Sequence, residues 1–401
     1  MTSRLLLSAG LLCCSLLPGQ VVAEHLRQQL QWQLGFMPQL QQSQHRLRYD
    51  NDLQLDLSAN WQFNSVFRLQ QDSVQQEKAA ALWWGSTKPA VFSLQQFRLK
   101  YQQTQHSLTL GRQIIDWRQT DTVSVADVWT VPDYQDLTGG AQQAQPALRW
   151  QWHGSAPGPE LEFVYSPAAV APWLPDGIFL LQRPELTKKP AQAQRGVRLV
   201  QNQAAVQWSL FGYDGVDLQP ALLPVALQPE WFYPAQQVLG MTAQTQLGRW
   251  LWRGELAKVH QQLPVGVTTQ QGQYWQYVLA AEREWYGELS QWLLLLQYSD
   301  ENRRQLMPVV SLYPDFGRVF RRQLLGRLQY DPTGDLQTQY QLEWAWQPAQ
   351  QASVLKLRYQ TRLNPQTELQ LSWTGFTGSL DSVWGPYRQQ DLWQMALQWF
   401  F

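Results

Sequence analysis

The sequence predicts an all-β chain: a transmembrane antiparallel up-and-down β-barrel of about 18 strands, or 16 if segment 45–69 is divided differently. Three observations predict it. Apolar residues recur at every second position along most of the chain, and the links between these runs alternate between short and long. Beyond an N-terminal leader, no apolar run approaches the roughly 18 residues that mark a membrane helix.

The leader comes first in the chain. Arg4 precedes a mostly apolar run over residues 5–17, then a break at Pro18 and Gly19 and small residues at Val21 and Ala23. This pattern is a signal peptide over residues 1–23, cleaved after Ala23, with the barrel spanning residues 24–401. The run is too short for the about 20 apolar residues of a spanning helix. Cys13 and Cys14 both lie inside the leader, and neither follows the small residue of a lipoprotein signal. The exported chain is therefore expected to lack thiols, disulfides and an acyl anchor. Of 31 basic and 31 acidic residues only Arg4 is removed, so the remainder is nearly neutral and nucleic acid is not an expected partner.

The alternation then runs strand by strand. Leu30, Trp32, Leu34 and Phe36 share one parity; Leu53, Leu55 and Leu57 share another, as do Phe97, Leu99 and Tyr101, and Leu148, Trp150 and Trp152. The most regular sets come late, at Tyr340, Leu342, Trp344 and Trp346, at Leu355, Leu357 and Tyr359, and at Leu369, Leu371 and Trp373. Between them stand mostly Gln, Arg, Glu and Thr. One apolar face per strand suits lipid outside and water inside, whereas a sandwich of this size would need many strands buried on both faces. The 22 Trp and 15 Tyr cluster near strand ends, where interfacial girdles form. Long links are expected at 70–91, 118–146, 166–194, 213–235, 260–272, 299–319 and 377–390, with short ones near Thr104, Gly158, Asn202, Thr245 and Gly287. The chain closes on Trp393, Met395, Leu397, Trp399 and Phe401, a pattern expected of the signal read by barrel-assembly machinery. Outer-membrane lipid is the other expected partner, and a bacterial outer membrane the expected location.

Catalytic chemistry has little support. The five histidines, His25, His45, His106, His153 and His260, accompany no Gly-x-Ser-x-Gly stretch, so an enzyme is not predicted. No zinc spacing or phosphate loop is present, and no cofactor or metal is expected.

The densest unusual segment starts at Gly111, Arg112 and Gln113 and continues through Asp116, Trp117, Asp121, Asp127, Val128, Pro132 and Asp133. Strict alternation from Leu108 and Leu110 would set Arg112 in lipid at about 2–4 kcal/mol, unless Gly111 bulges or the position lies at a rim. One reading turns this segment inward as a constriction loop carrying Asp116, Trp117, Asp121, Asp127 and Asp133. The other leaves it outside, with the aspartates as turn formers. The order Gly-Arg-Gln, Trp, Asp, Asp-Val and Pro-Asp resembles a motif of proteobacterial outer-membrane barrels of unknown function, similar to alginate-export porins. Arg118 stands where that motif has glycine, and Val131 where it has asparagine. Pro172, Trp173, Leu174 and Pro175 resemble a downstream element of the same family.

Positions between lipid-facing ones must point inward. They give Arg98, Lys100, Arg198, Arg249, Arg253, Arg321, Arg327, Lys356, Arg358 and Arg362 against Glu255, Glu282, Glu284 and Glu343. Such a wall favours anionic cargo, unless the charges simply pair across strands. The sequence thus predicts a porin-like channel for a small or amphiphilic, anionic solute, its lumen narrowed by the loop and its acids meeting Arg98 and Arg249. A non-conducting structural or docking barrel is the alternative, and a barrel-wall lipase the third reading.

Overall fold

The computed structural model describes residues 22–73, 78–81, 90–133, 141–155, 158–173, 192–203, 205–218, 221–223, 230–262, 271–302, 322–332, 337–380, 382 and 384–401. The leader up to residue 21 lies outside them, as do Arg321, Leu174 and Pro175. Eighteen antiparallel strands form one closed wall. They are β1 (Val22–Met37), β2 (Gln42–Ser58), β3 (Trp61–Asp72), β4 (Ala90–Gln102), β5 (His106–Gln113) and β6 (Gln145–His153). Next come β7 (Pro159–Ser166), β8 (Gln194–Asn202), β9 (Val206–Val216), β10 (Ala235–Leu247), β11 (Trp250–Gln262) and β12 (Gln271–Tyr286). The last six are β13 (Gln291–Glu301), β14 (Gln323–Asp331), β15 (Thr338–Gln347), β16 (Ala352–Asn364), β17 (Thr367–Thr377) and β18 (Leu392–Phe400). A short strand, Lys78–Ala81, adds in parallel to β4.

Each strand pairs with its chain neighbour, and β18 returns to β1 with Phe36 opposite Trp393, Trp32 opposite Leu397 and Leu30 opposite Trp399. Closure leaves no edge, which hydrocarbon requires because it offers no partner to a free N–H or C=O. The register keeps apolar residues with apolar ones: Leu328, Leu342 and Leu357 lie in one row across β14–β16, and Arg327, Glu343 and Lys356 in the next. One parity faces out, and its large side chains are exposed, among them Leu110, Leu210, Leu239, Leu279, Leu357 and Trp393. Such a belt would be unfavourable in water and is at home in lipid. Trp292, Tyr330, Tyr340 and Tyr359 line up over β13–β16 near the short turns, with centroids 4.1, 6.2 and 5.1 Å apart, while Trp373 and Trp393 pair near the long links. These are the two girdles.

Segment 45–69 resolves into β2 and β3, joined at residues 59–60, which makes eighteen strands rather than sixteen. The turn expected near Thr245 falls instead at Gly248 and Arg249, because β10 and β11 stay paired as far as Leu247 and Trp250. Arg249 is therefore an exposed turn residue, not a wall residue. Gly326 lies under the Trp344 ring, where any Cβ would collide with the indole.

The inward parity is not uniformly polar. Ala257, Val259, Val278, Leu325, Ala345, Val354 and Phe376 face inward, yet are buried in one cluster with side chains from two links. Water does not wet that part of the interior, so it tolerates apolar residues that simple alternation assigns to neither solvent.

A candidate constriction and its lumen wall

At the end of β5, Gly111 has φ 124°, a conformation only glycine adopts readily. A Cβ there would strike the Phe97 carbonyl oxygen. No bulge interrupts the pairing of β5 with β4 or β6, which runs through Gly111 to Arg112 on one side and Gln113 on the other; the chain leaves the wall after Gln113. Arg112 avoids lipid by donating from Nε to the Ala144 carbonyl at 3.1 Å and is almost fully buried. Gln113 is tied down by a 2.9 Å bond to the Ala147 carbonyl.

Residues 114–130 then run along inward-facing side chains of successive strands. Trp117 donates Nε1–H to Glu162 of β7 at 3.1 Å, and Glu162 also holds Arg149 of β6 at 2.7 Å. Trp117 and Trp129 pack edge to face at 5.7 Å, and both rest on Gly196 of β8, where a Cβ would lie 2.6 and 2.8 Å from the two rings. Phe211 and Tyr213 of β9 meet the same pair of rings at 6.1 and 5.1 Å. Farther round, the side chain of Gln297 on β13 donates to the Val123 carbonyl at 2.6 Å. Seven strands lie between β5 and β13 in a ring of eighteen, so these contacts reach almost to the opposite wall.

The strongest tie is to Glu255 of β11. Its buried carboxylate accepts from the backbone N–H groups of Gln119 (3.0 Å), Thr120 (2.9 Å) and Val125 (2.7 Å), and from the hydroxyls of Thr120 and Ser124. Charge-assisted bonds to a buried carboxylate are the strong kind, and losing the acceptor orphans each donor at about 1–3 kcal/mol.

The five residues expected to form the loop divide. Trp117 is fully buried in the contacts above. Asp116 stays exposed and pairs with Arg118 at 2.7 Å; burial pushes its carboxyl up, but the bonds from Arg118 outweigh this and hold it below the usual range. Asp121 approaches Arg253 at 3.4 Å. Asp127 is half-buried, and Asp133 is buried and bridges Trp173 in parallel, which joins the two separated pieces of the motif. Arg98 and Arg249, the expected partners of the acids, form no ion pair with them among the described residues; Arg253 does instead. The anchoring polarity is reversed, with segment donors meeting a wall acid. Glu255 counted in the sequence only as one inward acid, and nothing local marks it as an anchor. A second link is also buried inside: Trp384 and Tyr387, around the turn Gly385–Tyr387, join the apolar cluster with Ile115, Val123 and Val125.

Of the expected lining residues, Arg253 pairs with Glu282 at 3.0 Å, Glu343 sits 3.0 Å from Arg327 and 3.9 Å from Lys356, and Arg358 donates to Gln341 at 3.3 Å. Arg98, Lys100 and Arg198 share the inward parity of β4 and β8 and have no ion pair among the described residues. Arg98 lies opposite Gly111, and the row from Lys100 continues through Thr109 to Arg149, so these cations gather beside the point where the chain leaves the wall.

No family model matches the chain, and no curated protein does. Solved structures do resemble it. Pseudomonas aeruginosa OccK2 (OpdF) in complex with glucuronate superposes with a TM-score of 0.55 at 10% identity, covering 94% of this chain and 96% of that one. Acinetobacter baumannii OccAB3 gives 0.55 at 8% identity, covering 94% and 98%. P. aeruginosa OpdK with vanillate gives 0.53 at 10%, covering 94% and 98%. At such identities the likeness concerns the fold, which is the eighteen-stranded barrel of bacterial outer-membrane porins.

Proposed function

We propose that the protein is an outer-membrane channel for small anionic solutes, with residues 114–130 as its constriction. The observation that carries this reading is the segment tied to Glu255 beside the inward cations Arg98, Lys100 and Arg198, which close no salt bridge among the described residues, although Asp52 lies near Arg98 and Glu162 stands opposite Arg198. A carboxylate solute would give these cations the direct contact that the wall acids do not make, and basic walls select anions. Two neighbours of like fold are described with glucuronate and vanillate, both carboxylates, which supports the same direction. The motif from Gly111 to Asp133 is then the sequence mark of the constriction, and substrate contact rather than chemistry is its task.

Planar-bilayer recordings test this. Replacing residues 119–133 by a short Gly-Ser link should raise single-channel conductance severalfold, and glutamine at Arg98, Lys100 and Arg198 should shift the reversal potential away from anion selectivity. Unchanged conductance and selectivity in folded variants would refute the proposal. A non-conducting barrel is the second reading, favoured by the burial of Trp384 and Tyr387 inside the wall; a silent wild type would select it.

Cleavage after Ala23 predicts that the exported chain begins at Glu24, which N-terminal sequencing reads. For barrel-assembly machinery, removing Phe401 and making Trp399 polar should leave the protein in the periplasm; normal outer-membrane levels would count against it. Phe401 is exposed and holds β1 through its N–H to Gln28 at 2.9 Å.

A further inference from the structure

A cation sits on the wrong face of the wall. Arg283 of β12 shares its parity with Leu279, Ala281 and Trp285, all facing out, while Glu282 and Glu284 have the opposite parity. Its guanidinium lies 4.8 Å from the Trp285 ring centre and 5.5 Å from that of Trp250, its register partner on β11. The two indoles stand edge to face at 6.4 Å, making a slot around it. Stacking on aromatic faces favours a guanidinium there but supplies no anion. Among the described residues its Nε is buried without an acceptor and the side chain has no ion pair, which leaves the two Nη groups to meet an anion from outside.

Arg283 is three residues from the end of β12, about 10 Å along the strand. The adjoining link, residues 287–290, is one of the short turns, which in such barrels face the periplasm. At that depth a long arginine reaches the headgroup layer, where the available anions are lipid phosphates. The geometry points to a phospholipid site: Arg283, walled by Trp250 and Trp285, binds the phosphodiester of a periplasmic-leaflet phospholipid through its guanidinium fork.

Native mass spectrometry of the full chain in a nonionic detergent, with phosphatidylglycerol added, tests it. Wild type should retain bound lipid, Arg283→Gln severalfold less, and Arg283→Lys an intermediate amount, because an ammonium keeps the charge but loses the fork and the stacking. Equal retention by wild type and Arg283→Gln would overturn the assignment. Should Arg283→Gln fail to fold, the double variant Trp250→Leu with Trp285→Leu reads the same site: weaker retention supports it and unchanged retention overturns it. Displacement of the lipid by millimolar inorganic phosphate would assign the slot to free anions instead.

Discussion

The wall from β14 to β18 and the segment 114–130 are held in opposite ways. In the wall, cohesion is spread over many equal bonds: every strand is laddered on both sides, and each row of outward side chains repeats the last. In the segment, three backbone N–H groups and two hydroxyls converge on one carboxylate, and two indoles rest on one glycine. Distributed cohesion tolerates loss at any one point unless the new group is wrong for its solvent. Concentrated cohesion fails at its anchor while the surroundings stay intact.

Four substitutions separate the two cases. Leu357→Arg introduces a cation into hydrocarbon and should cost the barrel about 2–4 kcal/mol, seen as loss of heat-modifiable mobility and of membrane-inserted protein. Glu255→Ala should free the segment, at about 1–3 kcal/mol for each donor left without an acceptor, while leaving the folded barrel; limited trypsinolysis at Arg118 and a higher conductance would report it. Gly196→Ala drives a methyl into Trp117 and Trp129, and overpacking of this kind costs about 1–3 kcal/mol, so the segment should loosen without a change in strand content. Arg358→Leu, one residue from Leu357 but on the inward face, should leave folded barrel within about 0.5 kcal/mol and change permeation only. If Leu357→Arg and Arg358→Leu lose folded barrel equally, the register is wrong. If Glu255→Ala lowers strand content, the contrast between wall and segment collapses.

The same contrast explains what the sequence made legible. The wall is written locally: Tyr340, Leu342, Trp344 and Trp346 disclose their common face by period alone, and the strand number and closed architecture follow from such runs and the links between them. The ties of the segment are not local. Glu255 lies more than a hundred residues from Thr120 and Val125, and an inward glutamate bonded to solvent reads the same as one bonded to a loop. The Gly196 seat is equally silent until Trp117 and Trp129 are known to lie above it. Arg249 shows the local limit: parity continues smoothly across a tight turn, so only the pairing of Leu247 with Trp250 reveals where the strand stops. Arg283 shows another, since alternation sets it on the lipid face and only the flanking indoles and its place near the end of β12 show how it is tolerated there.

The seam between β1 and β18 governs how such a molecule can come into being. Leu30 and Trp399 stand opposite one another, so closure joins stretches about 370 residues apart, and on a logarithmic loop law this costs about 5 kcal/mol before the first bond of the seam repays it. The hairpins on either side need only two to a few dozen residues each and can zip in microseconds once their turns form. Closure is thus the slow, late event, and until it happens both β1 and β18 present unpaired edges that would join any other strand nearby. A molecule built this way needs its two terminal strands kept from foreign partners throughout export, and its yield should fall with its own concentration whenever that protection is removed.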